Sequence, residues 1–149
     1  MTGLTLRERL NLNRTAHRGL TRDLERLEYL ETKAGRSNAP MTPDKVQTSP
    51  TDKMSLLLAT IADLKTIIEG EKRYFDYLTN ETRNLFEEAD LKREELEVVT
   101  LRYIECLSWD EIADLMFWSK RQVERLHGTA LVKLGTLWHT LAHSDARKV

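Results

Sequence analysis

The three prolines of this chain, Pro40, Pro43 and Pro50, all fall in one stretch, AGRSNAPMTPDKVQTSPTD. Proline lacks a backbone donor and pushes the preceding residue out of the helical region, so this stretch reads as a break. On either side the chain can run as long helix. Upstream, Leu6, Leu10, Leu20, Leu24 and Leu27 recur at helical spacing, with Asn13 and His17 at intervening stripe positions. Downstream, Leu57, Ile61, Leu64, Ile68, Phe75, Leu78, Leu85 and Ala89 follow steps of four and three, interrupted on the same seam by Glu71 and Thr82. Such a heptad-like stripe is a coiled-coil seam rather than a broad globular face. Sustained period-two alternation and hairpin turn dipeptides are absent, so the chain is expected to be all-α. The expected organisation is an antiparallel helical hairpin, or coiled-coil arm, with a first helix over 1–35, a proline-containing loop over 36–52 and a second long helix over 53–89. A C-terminal domain follows over 90–149.

A narrow seam buries little area per residue, which makes a homodimer through the arm the expected assembly. The polar seam positions Asn13, His17, Glu71 and Thr82 either set register and partner number or mark where the helices fray and meet water.

With 40% hydrophobic and 32% charged residues the composition is that of a soluble chain with long solvated helical faces. No apolar run approaches the roughly 20 residues that a membrane span requires. The start, MTGLTLRERLNLNR, has no apolar segment behind a basic end, so a cytoplasmic location without membrane association is expected. The one cysteine, Cys106, can form no internal disulfide and reads as a small buried core residue in a helical pattern.

The net charge of −1 conceals segregation. Residues 1–36 hold eight Lys or Arg against five acids, and 119–149 hold six against two, whereas 37–89 hold six against nine and 90–118 hold three against eight. A polyanion responds to the local field, and the chain ends are cationic.

Residues 92–106, KREELEVVTLRYIEC, place Leu96, Val99, Tyr103 and then Cys106 or Leu107 along one face of a helix. Ser108 followed three residues later by Glu111 is a capping box that starts a new helix, and Asp110 and Glu111 occupy its first turn, where the dipole favours acids. Those acids serve initiation, not catalysis. Ile112, Ala113 and Met116 form the inward face, with Ala113 small enough for a second helix to cross closely. After the turn Phe117-Trp118-Ser119, Ser119 can cap a last helix whose inward face runs Val123, Leu126, Ala130, Leu134 and Leu137. Its outward face starts Lys120, Arg121, Glu124 and Arg125. Short helix, tight turn and a second helix opening with cations is the order of a helix-turn-helix, which offers the second helix's first side chains to the major groove of double-stranded DNA. Arg121 and Arg125 carry donor forks suited to guanine, and Gln122 offers the paired donor and acceptor that adenine needs. Glu124 can accept from cytosine, and Ser119 with Lys120 can hold a phosphate.

The run LEVVTLRYIECLSWDEIADLMFWSKRQVERLHGTALVKL resembles region 4 of bacterial sigma-70-type factors, through Leu-Arg-Tyr, Trp-x-Glu-Ile-Ala, Ser-x-x-x-Val and Ala-Leu-x-x-Leu in order. More closely, SKRQVERLHGTALVKL together with KVQTSPTDK resembles small phage-encoded sigma region 4-like regulators, the RinA and ArpU-like group of late-gene activators. The resemblance implies binding near promoters, with host RNA polymerase as a partner. It implies DNA contacts by Ser119, Lys120, Arg121, Gln122, Glu124 and Arg125, and a phosphate-facing Arg102. The position that usually holds glycine in the turn is Phe117 here, and a bulky residue in a left-handed conformation costs on the order of 1 kcal/mol or more. Trp118 is expected in a core or interface. Nothing upstream resembles the aromatic, basic helix with which full sigma factors melt DNA, so an accessory activator is expected rather than a free-standing sigma factor. A small terminase-like DNA-packaging subunit, which also joins such a module to oligomerising helices, is the alternative.

His139 and His143 lie four apart, compatible with two metal ligands on one helix face, but no third ligand accompanies them. Gly128 and Gly135 mark close approach to DNA or another helix, or a bend. No phosphate loop, dinucleotide fingerprint, nucleophile elbow or zinc spacing occurs, so neither enzyme activity, nor a cofactor, nor a metal is expected.

Overall fold

The computed structural model describes residues 3–36 and 50–147, with side chains placed over 3–36 and 52–144. The described chain is all-α, in five helices with no strand: α1 (Leu6–Arg36), α2 (Pro50–Glu88), α3 (Arg93–Tyr103), α4 (Trp109–Met116) and α5 (Lys120–Arg147). None is long and apolar enough to cross a membrane. Helix α1 opens on a capping box, in which the Thr5 amide donates to Glu8 Oε2 at 2.9 Å and the Glu8 amide donates to Thr5 Oγ1 at 3.2 Å. Helix α2 begins at Pro50, within the stretch expected as loop. Proline is tolerated there because the first helical amides have no intrahelical acceptor. Most of that loop lies outside the described residues.

The chain forms two compact units that divide both long helices, one of residues 18–74 and one of residues 1–17 with 75–149. Within 18–74, α1 and α2 run antiparallel, as the pairings of Asp23 with Glu71 and of Glu31 with Lys65 at 3.3 Å require. Ile61, Leu64 and Ile68 supply the buried apolar seam of α2. Glu71 is a seam partner rather than a frayed position. A hydrogen bond with Asp23, partial burial and the Asp23 charge hold its carboxyl above the usual range, the Arg22 charge opposing them.

In the other unit the polar seam residues are buried and bonded. Thr82 Oγ1 donates to Asn13 Oδ1 at 3.0 Å, Arg9 Nη1 donates to the same oxygen at 2.8 Å, and Arg9 Nη2 donates to the Leu78 carbonyl at 3.1 Å. Arg9, Asn13 and Thr82 are all buried, and the bonds converging on Asn13 Oδ1 tie α1 to α2 in one register, although Asn13 Nδ2 is buried without a partner. His17 packs on Phe75 with ring centroids 5.6 Å apart. Two apolar clusters flank α3. Val99 and Tyr103 join Leu10, Leu85, Phe86, Ala89, Ile104, Ala130 and Leu134, while Val98 joins Ile112, Ala113 and Val123. Ala113 and Val123 thus meet where the sequence places α4 against α5. Of the expected α3 face, Val99 and Tyr103 are buried, but Leu96 is 38% exposed, and Glu95 beside it is buried instead, its carboxylate accepting from Lys133 Nζ at 2.9 Å.

Helix α3 stops earlier than its apolar pattern suggests. Cys106 lies beyond its end at φ 59°, not inside a helix, and it is half-buried rather than core. The Leu107 amide donates back to the Leu101 carbonyl at 2.9 Å, a left-handed helix stop with cysteine in the glycine position. The thiol lies 3.5 Å from the Tyr103 carbonyl oxygen and 3.8 Å from those of Asn13 and Ile104, and burial pushes its pKa up to about 11. Helix α4 also ends on a left-handed residue, with a backbone bond one residue shorter in span. Phe117 sits at φ 56°, and the Trp118 amide donates to the Ala113 carbonyl at 3.1 Å. In each stop the next residue, Leu107 or Trp118, packs on the Val98–Ile112 cluster. That burial offsets the left-handed strain.

Candidate nucleic-acid interface

Helix α4 starts as its sequence demands: the Glu111 amide donates to Ser108 Oγ, and the Ser108 amide donates to Glu111 Oε1, both at 3.2 Å. Glu111 is therefore spent on the cap. Asp110 faces Lys120 Nζ at 3.4 Å, an exposed pair between the first turns of α4 and α5. After the turn, Ser119 Oγ accepts from the Gln122 amide at 3.2 Å and caps α5.

The cap and Val123, fully buried between α4 and α3, fix the rotation of α5 about its axis. The same rotation turns Lys120, Arg121, Gln122, Glu124 and Arg125 outward, all exposed. Among the described residues neither Arg121 nor Arg125 enters an ion pair. The first two turns of α5 thus present two unneutralised guanidinium groups, an amide and one carboxylate on a rigid helix. Planar donor forks so displayed can pair with coplanar acceptors on a base edge or with phosphate oxygens.

Arg102 is held differently. Its Nη1 donates to the Leu107 carbonyl at 3.1 Å, and its guanidinium lies 4.2 Å from the Trp109 ring centroid. Partial burial, and then the charge of Arg14, lower its pKa. Trp109 meets His127 edge-on at 4.6 Å, and Tyr103 Oη and His127 Nε2 share a hydrogen bond of 2.7 Å. This chain of four side chains links α3, α4 and α5, and sequence spacing gave no hint of it because His127 lies between the inward and outward faces of α5. Burial, followed by the charges of Arg102 and Arg7, pushes the His127 pKa down to about 4. Tyr103, buried in the same place, has its pKa raised chiefly by desolvation.

Phe117 is 93% exposed, so its own packing does nothing to offset its backbone strain, whereas Trp118 is partly buried against the second cluster. Gly128 and Gly135 lie within continuous α5, and a Cβ at either would meet nothing within 4 Å, so no neighbouring helix explains them. His139 and His143 lie side by side on the exposed end of α5 with their Nε2 atoms 2.9 Å apart. No group of three or more metal-ligating side chains forms among the described residues. Comparison with protein-family models, curated proteins and solved structures returned no match to this chain.

Proposed function

We propose that this protein is a sequence-specific, double-stranded DNA-binding transcriptional regulator, non-enzymatic, acting on late genes of a phage or prophage as an activator with host RNA polymerase. The observation that carries the DNA reading is the outward display of Lys120, Arg121, Gln122 and Arg125 on the capped start of α5, opposite fully buried Val123. α4 and α5 act as a helix-turn-helix, with α5 entering the major groove. Arg121 and Arg125 read guanine edges, Gln122 reads adenine and Glu124 discriminates in favour of cytosine. Lys120 and the Ser119 cap hold phosphate, and Arg102, stacked on Trp109, offers its remaining donors to the backbone. The phage context and the polymerase partner come from the resemblance to sigma region 4-like activators. Self-association through the α1–α2 hairpin would present two copies of α5 to a repeated site.

Selection of bound sequences from a pool of random duplexes tests this reading. A single enriched motif with a guanine at one or more positions is expected. A pool that stays unenriched at low salt, where phosphate attraction is strongest, overturns it.

A further inference from the structure

Helix α2 carries, within residues 18–74, a second apolar stripe besides its buried seam. Leu56, Ile67 and Tyr74 are 70%, 54% and 48% exposed. With Asp63 and Gly70 they follow steps of seven, four, three and four, a heptad spacing of their own. At 100° per residue this stripe lies about 120° around α2 from Ile61, Leu64 and Ile68, so one helix offers two separate seams. A Cβ on Gly70 would meet nothing within 4 Å, which leaves an open notch beside the Ile67 side chain. Asp63 and Arg73, both exposed, enter no ion pair among the described residues.

The face therefore holds both halves of each contact: a projecting Ile67 and a notch at Gly70, an acid and a cation. That self-complementarity fits a second copy of the chain. A parallel pairing would set Asp63 against Asp63 of the partner subunit, like charge on like. An antiparallel pairing about a two-fold axis between Ile67 and Gly70 avoids this. It seats Ile67 over Gly70 of the partner subunit and brings Asp63 opposite Arg73 and Tyr74 of the partner subunit, each contact made twice. We propose that α2 pairs antiparallel with α2 of a second copy along Asp63, Ile67, Gly70 and Tyr74. This assignment rests on the self-association included in the reading above and names its face and direction.

Sedimentation equilibrium of the full chain, with helicity followed by circular dichroism, tests it. The unsubstituted protein is expected to be a dimer, and Ile67→Glu to raise the dimer dissociation constant by about a hundredfold or more without loss of helicity. Asp63→Arg and Arg73→Asp should each weaken the dimer by about fivefold, and the double exchange should restore it. If Ile67→Glu loses helicity, the charge exchange alone decides. A dimer unchanged by the helical Ile67→Glu variant overturns this face while leaving self-association standing. A double exchange that fails to restore association overturns the antiparallel direction. An unsubstituted chain that stays monomeric at high micromolar concentration overturns both the face and the self-association.

Discussion

The hairpin of residues 18–74 and the cluster built around α3, α4 and α5 are both helical, yet they solve the burial problem differently. The cluster surrounds α3 with two apolar groups, so that Val98 and Val99, adjacent in sequence, are each fully buried in a different one. The hairpin buries one seam and leaves Leu56, Ile67 and Tyr74 in water. A region that closes its own core can fix the direction of a charged face, and buried Val123 does so for the outward side chains of α5. A region with one narrow buried seam leaves apolar surface exposed, here the face proposed above to meet a second copy.

The sharpest way to break this comparison is to truncate one isoleucine in each region. Ile112→Ala, at the fully buried centre of the second cluster, is expected to cost about 2–5 kcal/mol in chemical denaturation. Ile67→Ala, measured at concentrations too low for association, is expected to change stability by no more than about 0.5 kcal/mol. Equal losses at the two sites would mean that the hairpin is as closely packed as the cluster.

A pH series sharpens the description of the cluster. His127 is held neutral, with its pKa near 4 against an ordinary value of 6.5. The unfolded chain therefore takes up a proton that the folded chain refuses between those values. Its contribution to stability is complete above pH 6.5 and is lost as pH falls toward 4. Thermal unfolding of His127→Gln should show a flatter pH dependence across this window than the unsubstituted protein, and identical slopes would contradict the buried neutral imidazole. A smaller effect belongs to the turn. Phe117→Gly should raise stability by about 1 kcal/mol, because glycine adopts the left-handed conformation without strain and the exposed ring gives up no packing. Destabilisation would show that the ring makes a contact in solution. Gly135→Ala, with open space around it, should add up to about 1 kcal/mol of helix stability.

The elements that sequence made legible are those with a local signal. Confinement of the prolines to 40–50 left long helix on either side, and Ser108 with Glu111 announced the start of α4. Val123, Ala130 and Leu134 marked the inner face of α5, and the outward side chains of its first turns followed from that phase. Thr5 with Glu8 carries the same signal for α1. The misplacements arose where a nonlocal contact overrode local pattern. Leu96 looked like core, but α3 buries Glu95, paired with Lys133 distant in sequence, beside Val98 and Val99, and leaves Leu96 38% exposed. Cys106 looked like a continuation of the α3 stripe, because a left-handed stop without glycine leaves no trace in composition. The Arg102–Trp109–His127–Tyr103 chain draws one or two side chains from each of three helices, and no spacing within one helix could reveal it.

The central claim is that the outward guanidinium groups of α5 read base edges, and titration of the selected duplex and of a scrambled duplex, each at several salt concentrations, tests it most directly. Arg125→Ala is expected to lose about 1–3 kcal/mol of affinity for the selected duplex and little for the scrambled one, while Lys120→Ala weakens both alike. Indistinguishable losses from the two substitutions on both duplexes would contradict the claim.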